Sequence, residues 1–127
     1  MVKFLFSILF IVSGLFLATP VYAQEQISNF DSQIVAKKDG TMAITETIEY
    51  DFGSADRHGI YRFIPLVSSV GDLYRIITVN YQSVTRDGKP EPYTVSGGDN
   101  KSEIKIGDKD KTISGAHTYQ IKYIVNN

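Results

Sequence analysis

From Thr41 to Phe52 the chain alternates with a period of two, and this pattern constrains its fold more than any other feature. Met42, Ile44, Ile48, Tyr50 and Phe52 fall on one face, and Ala43, Thr45, Thr47, Glu49 and Asp51 on the other. Only an extended strand turns alternate residues to opposite sides, so the stretch is read as a strand with one buried face. Glu46 falls on the apolar face, which requires either a sheet rim or a cationic partner. Just upstream, Phe30, Ser32, Ile34 and Ala36 alternate with Asp31, Gln33, Val35 and Lys37, the pattern of a half-buried strand. Between the two, Lys38-Asp39-Gly40 is a turn signal, so the pair reads as a hairpin. Gln24 to Asn29 is polar and reads as a lead-in.

The same grammar continues. Tyr74 to Val84 is a strand rich in Ile, Val, Thr and Tyr, and Arg86-Asp87-Gly88-Lys89-Pro90 is a turn. Tyr93–Ser96 is a short strand, Gly97-Gly98-Asp99-Asn100 a turn, and Glu103–Gly107 a strand. Asp108–Lys111 is a charged turn, Thr112–Ser114 a brief strand, and Tyr119, Ile121, Tyr123 and Val125 alternate along the last strand. Short strands with turn signals roughly every 8–12 residues predict an all-β, antiparallel β-sandwich of the immunoglobulin-like or Greek-key type. After residue 23 the sequence carries no internal repeat and no strongly amphipathic helix. A last strand at an open edge would expose unpaired backbone groups, so the sandwich is expected to be incomplete.

The first 23 residues have a different logic. Lys3 supplies a positive start, Phe4 to Leu17 is almost wholly apolar, and Val21-Tyr22-Ala23 ends in a small residue. This is the layout of a secretory signal, with cleavage after Ala23; an uncleaved anchor is the alternative. The expected organisation is a signal peptide at residues 1–23 and an extracytoplasmic β domain at 24–127. The sequence contains no cysteine, which removes disulfides, zinc–thiolate sites and thiol nucleophiles. Thirteen basic against fourteen acidic residues give no electrostatic case for nucleic acid.

Charge, aromatic rings, glycine and proline concentrate in one segment, Asp56 to Leu66, reading Asp-Arg-His-Gly-Ile-Tyr-Arg-Phe-Ile-Pro-Leu. Ile60, Phe63, Ile64 and Leu66 are its candidates for burial, and Pro65 suits an edge or a crossing better than a central strand. Glu46, Arg57, His58, Gly59, Tyr61, Arg62 and Pro65 form the candidate binding or structural cluster. In one reading Arg57, Arg62 and Tyr61 present a planar surface to a carboxylate or phosphate. In the other, one arginine clamps Glu46 or Asp51 and Tyr61 packs with its hydroxyl at the rim. His58 and His117 lack metal-ligand spacing, and Asp99-Asn100 and Asp108-Lys109-Asp110 read as turn residues, so neither metal nor cofactor is expected. Ser54 has His58 nearby in sequence but no elbow motif. The carboxylates Glu46, Glu49, Asp51 and Asp56 leave open a cell-wall-directed hydrolase or metal-dependent enzyme using Glu46, Glu49 or His58.

Several strings carry a family resemblance. They are Ile44-Thr45-Glu46-Thr47-Ile48, Arg57-His58-Gly59-Ile60-Tyr61-Arg62-Phe63-Ile64-Pro65, Ser83-Val84-Thr85-Arg86-Asp87-Gly88, Ile104-Lys105-Ile106-Gly107-Asp108 and Gly115-Ala116-His117-Thr118-Tyr119. In this order they resemble the YciQ-like predicted membrane proteins, domain-of-unknown-function family 2207. The resemblance implies an extracytoplasmic β domain behind a signal sequence, joined in the longer protein to further β structure, transmembrane helices and a cytoplasmic tail. It implies no catalytic residue. The expected role is therefore a non-enzymatic module of the bacterial cell envelope, attached to the membrane through helices this sequence lacks and meeting a protein or glycan partner.

Overall fold

The computed structural model describes residues 24–126, and the signal read at residues 1–23 lies outside the described residues. The described chain is all-β and antiparallel throughout. Its strands are β1 (Gln26–Ala36), β2 (Met42–Asp51), β3 (Ile60–Pro65), β4 (Val67–Val70), β5 (Leu73–Ile76), β6 (Thr78–Arg86), β7 (Lys89–Pro90), β8 (Tyr93–Gly98), β9 (Lys101–Ile106) and β10 (Ala116–Asn126). One sheet has the order β1-β2-β10-β6-β7, a second β3-β9-β8, and β4-β5 form a separate hairpin.

One buried cluster draws on both larger sheets. Ile48 and Phe52 come from β2 and its end, Val84 from β6, and Tyr119, Ile121, Tyr123 and Val125 from β10. Ile60 and Ile64 of β3 and Ile104 and Ile106 of β9 close it from the other side. The alternation along the last strand is thus realised in full, each of its four apolar residues pointing inward. On β6 the phase resets. Lys122 pairs with Ser83 but Tyr123 with Tyr81, so Gln82 is an extra residue, and the bulge brings Val79 and Tyr81 onto the same face as Val84.

Several expectations are corrected. The last strand is not at an edge: β10 lies between β2 and β6, hydrogen-bonded on both sides. The lead-in Gln24–Asn29 is already strand from Gln26, which pairs with Asp51. β1 does form the hairpin with β2, but it is exposed along its whole length rather than half buried. The second sheet explains this: it contacts β2 through Arg62 and β6 through Ser102, and its three strands do not extend beneath the length of β1. The link at Ser68–Asp72 and the start of the Tyr74–Val84 strand become the β4–β5 hairpin, turned at Gly71 with φ +61°. Thr112–Ser114 makes a single bridge, Ile113 to Arg57, in place of a strand. Phe63 faces outward, because the inward row of β3 is Ile60, Arg62 and Ile64.

Two turns fix the ends of these strands. Asp87 and Gly88 both take positive φ, +52° and +76°, as a two-residue hairpin between β6 and β7 requires. Asp87 then ties the turn to β10. Its carboxylate accepts the Thr118 amide at 2.9 Å and meets His117 Nδ1 at 2.7 Å. The Thr118 amide, followed by His117, holds the Asp87 carboxyl below its ordinary value. Folding thus lowers this pKa, so the stabilisation is present above about pH 4 and is lost as pH falls through the lower folded value. Asp87→Asn is expected to melt below the parent at pH 7 and to converge with it in acid, measured by thermal denaturation across pH.

At the other end of the second sheet, Gly59 and Gly107 lie back to back with φ +141° and +132°. A Cβ on Gly59 would sit 1.8 Å from the Ile106 carbonyl oxygen and 3.0 Å from Gly107 Cα. The obstacles are backbone atoms, which cannot rotate away. Gly59→Ala is expected to cost about 2–4 kcal/mol or prevent folding. Gly40→Ala, where a methyl meets nothing within 4 Å, costs only the positive-φ strain of about 1 kcal/mol. Urea titration of the two variants checks the contrast.

Candidate functional site

The period-two pattern of β2 places Glu46 in the core row between Ile44 and Ile48, where it is 2% exposed. The same rule applied to β3 places Arg62 in the row of Ile60 and Ile64. The two charges meet across the sheets. Arg62 Nε donates to Glu46 Oε2 at 2.8 Å and Arg62 Nη2 to Glu46 Oε1 at 2.8 Å, a two-pronged clamp. Tyr123 of β10 donates its hydroxyl to Glu46 Oε1 at 2.7 Å, and Arg62 Nη1 donates to the Phe63 carbonyl. All three main partners come from different strands, so the carboxylate fastens β2, β3 and β10 at one point.

The electrostatics follow the geometry. Hydrogen bonding to Glu46 raises the Arg62 guanidinium above its ordinary value, against the opposing effect of burial. Burial, and then the bond to Glu46, pushes the Tyr123 hydroxyl well upward. Beside them Tyr81 is raised by burial; its hydroxyl meets Ser102 Oγ at 3.1 Å and its ring lies 5.8 Å from that of Tyr123. Tyr119 is buried with no hydrogen-bond partner for its hydroxyl among the described residues, and burial raises it to about 12. Three donors converge on the two oxygens of Glu46, which is 2% exposed, so the carboxylate is committed to its neighbours inside the core.

The other candidate residues lie apart from this clamp. Arg57 does not reach Glu46 or Asp51. It binds Glu25, with Nε donating to Oε1 at 2.8 Å, while Tyr50 donates to Glu25 Oε2 at 3.1 Å. Asp51 instead accepts the Gly53 amide at 2.8 Å. His58 Nδ1 lies 2.9 Å from the Lys111 carbonyl, beside a shallow cavity lined by Arg86, Glu91, Asp108 and Lys111. Tyr61 stands on the outer face of β3 with Phe63, their rings 6.4 Å apart and nearly parallel. Pro65 ends β3 opposite Lys101. Glu49 is exposed on the face of β2 opposite Glu46, so the two carboxylates point away from each other. Among the described residues no group of three His, Cys, Asp or Glu side chains is arranged to hold a metal.

Sequence reasoning missed Tyr123 and Glu25 as members of these networks. For Tyr123 the signal was available: its inward parity on the last strand puts a phenol in the core, and a buried phenol needs an acceptor. Glu25 carried no such signal, since nothing in its local pattern distinguishes it from a solvated lead-in.

The model of the predicted membrane protein (DUF2207) N-terminal domain matches residues 26–127. The chain belongs to this family. The uncharacterized protein YciQ of Escherichia coli strain K12 is 33% identical over 132 residues, an alignment covering 94% of this chain and 21% of YciQ. The chain thus spans about a fifth of the length of that relative. No solved structure matches.

The clamp has a measurable signature. Removing one partner of a buried ion pair strands the other, so Arg62→Ala is expected to cost about 3–5 kcal/mol. Glu46→Leu combined with Arg62→Met should recover most of that loss, because it removes both charges together. Arg57→Ala, which opens an exposed pair, should leave stability close to that of the parent. Equilibrium denaturation of the four proteins checks the order.

Proposed function

We propose that this chain is the extracytoplasmic N-terminal domain of a membrane protein and serves the bacterial envelope as a non-catalytic binding or structural module. Its apolar leader directs export, and the domain is held outside the cytoplasmic membrane by spans in the remainder of a longer polypeptide. In architecture it is a Greek-key, immunoglobulin-like sandwich. The chain passes between the two larger sheets at β2–β3, from β3 to β6 by way of the β4–β5 hairpin, at β7–β8 and at β9–β10, and the last strand returns beside the first hairpin.

The observation that carries the non-catalytic reading is the use made of the ionisable side chains. Glu46 and Arg62 are spent on each other inside the core, Arg57 on Glu25, and Asp87 on the Thr118 amide. Hydrolysis by paired carboxylates needs two acids facing one substrate, commonly about 5–10 Å apart. Glu46 and Glu49 lie on opposite faces of one strand, and His58 Nδ1 is engaged by a backbone carbonyl. Membership of a family named for predicted membrane proteins supports the membrane attachment.

Expression of the full gene product with a C-terminal tag is expected to place it in the membrane fraction, with the N-terminal domain digested by protease added to spheroplasts. A product protected from that protease overturns the location. A purified, folded domain that degrades cell-wall material, and loses this in Glu49→Gln or His58→Ala, overturns the non-catalytic reading.

A further inference from the structure

Two surfaces that ought to be buried are open, and they adjoin the same strand edge. The first is the inner face of β1. Register with β2 sets Ile27 opposite Tyr50, Phe30 opposite Ile48 and Ile34 opposite Ile44, so all three share the face that elsewhere lines the core. They are nonetheless 56%, 47% and 58% exposed. The second is β3 itself. It pairs with β9 on one side, and among the described residues no strand pairs with the other. Arg62 of β3 lies 5.7 Å from the centre of the Phe30 ring, so the unpaired edge of β3 runs beside the uncovered face of β1.

The outer face of β3 marks the same edge. Tyr61 and Phe63 remain 54% and 45% exposed. Lys105 and Lys101 of β9 place ammonium groups over the two rings, at 5.7 and 4.8 Å. A single extended segment along β3 would pair its backbone groups, cover Ile27, Phe30 and Ile34 with one set of alternate side chains, and meet the aromatic pair with the other.

We propose that this position takes one further β-strand, antiparallel to β3, from the polypeptide C-terminal to residue 127. The proposal rests on the reading of this chain as one domain of a longer protein. Two observations favour this occupant over a second copy. YciQ, the relative, is about five times as long as the region it shares with this chain. And polypeptide leaving β10 is delivered to the correct end of β3. Asn126 pairs with Thr78, whose neighbour Ile77 donates its amide to the Leu66 carbonyl, directly after Pro65. Continuing chain that crosses to the second sheet there enters alongside Pro65 and runs toward Ile60, which is the antiparallel sense. The strand needed matches the six residues of β3, with apolar residues at its inward positions.

The test uses the absence of cysteine from this sequence. Ile34→Cys and, separately, Asp31→Cys on the opposite face of β1 are placed in the full gene product and in the chain ending at residue 127. A membrane-impermeant maleimide then reads their labelling rates. Ile34→Cys is expected to label at least about tenfold more slowly in the full product than in the short chain, while Asp31→Cys labels equally in both. Equal rates for Ile34→Cys overturn the proposal, as does a disulfide-linked dimer through Ile34→Cys, which assigns the face to a second copy. A reading frame that stops at residue 127 overturns it too. Fractionation separates this from the functional reading: a membrane-bound product with rapid Ile34→Cys labelling sinks only the added strand. A soluble product with slow labelling sinks only the membrane assignment.

Discussion

A single buried carboxylate, held by three hydrogen bonds, fixes how the two larger sheets meet. Glu46 has no solvent to fall back on, so its charge is tolerable only where Arg62 and Tyr123 converge on it. That requirement is directional in a way apolar packing is not. Ile48, Ile104 or Ile121 would accept many small shifts of one sheet over the other, whereas a two-pronged guanidinium–carboxylate contact accepts few. The pair thus sets the relative placement of β2 and β3, and the surrounding side chains fill the space that placement leaves. Whether such a pair adds net stability over an apolar substitute is a separate matter from the register it imposes.

Much of the fold was legible because its signals were local. The alternation of β2 and β10, the Asp-Gly turn at Asp87-Gly88 and the hairpin around Gly40 are each encoded within a few residues, and each forms. What failed depended on neighbours distant in sequence. β1 reads as half buried, yet whether its apolar side is covered depends on the width of the opposing sheet, which no pattern within β1 records. The last strand ends at the end of the sequence but lies in the middle of a sheet.

At the clamp the residue types were readable but the pairing was not resolved. Glu46 stands out in sequence as an acid in an apolar row. The same parity test applied to Ile60, Arg62 and Ile64 selects Arg62 over Arg57, and it also turns Phe63 outward. Glycine was harder to read. Gly59 lies next to a histidine in a segment dense with functional residue types, but its reason for being glycine is the backbone of Ile106 and Gly107, distant in sequence, against which it is pressed.

The central position of β10 has a consequence for how the molecule is made. The ribosome finishes the first hairpin and β6 long before it reaches the strand that must slot between them. At about 5–20 residues per second, the wait from Met42 to its partner Val125 is on the order of ten seconds. Until then the growing chain holds two half-sheets with a seam between them, each showing a ladder of unmatched amides. The first hairpin and β6 become one sheet only when β10 enters between them.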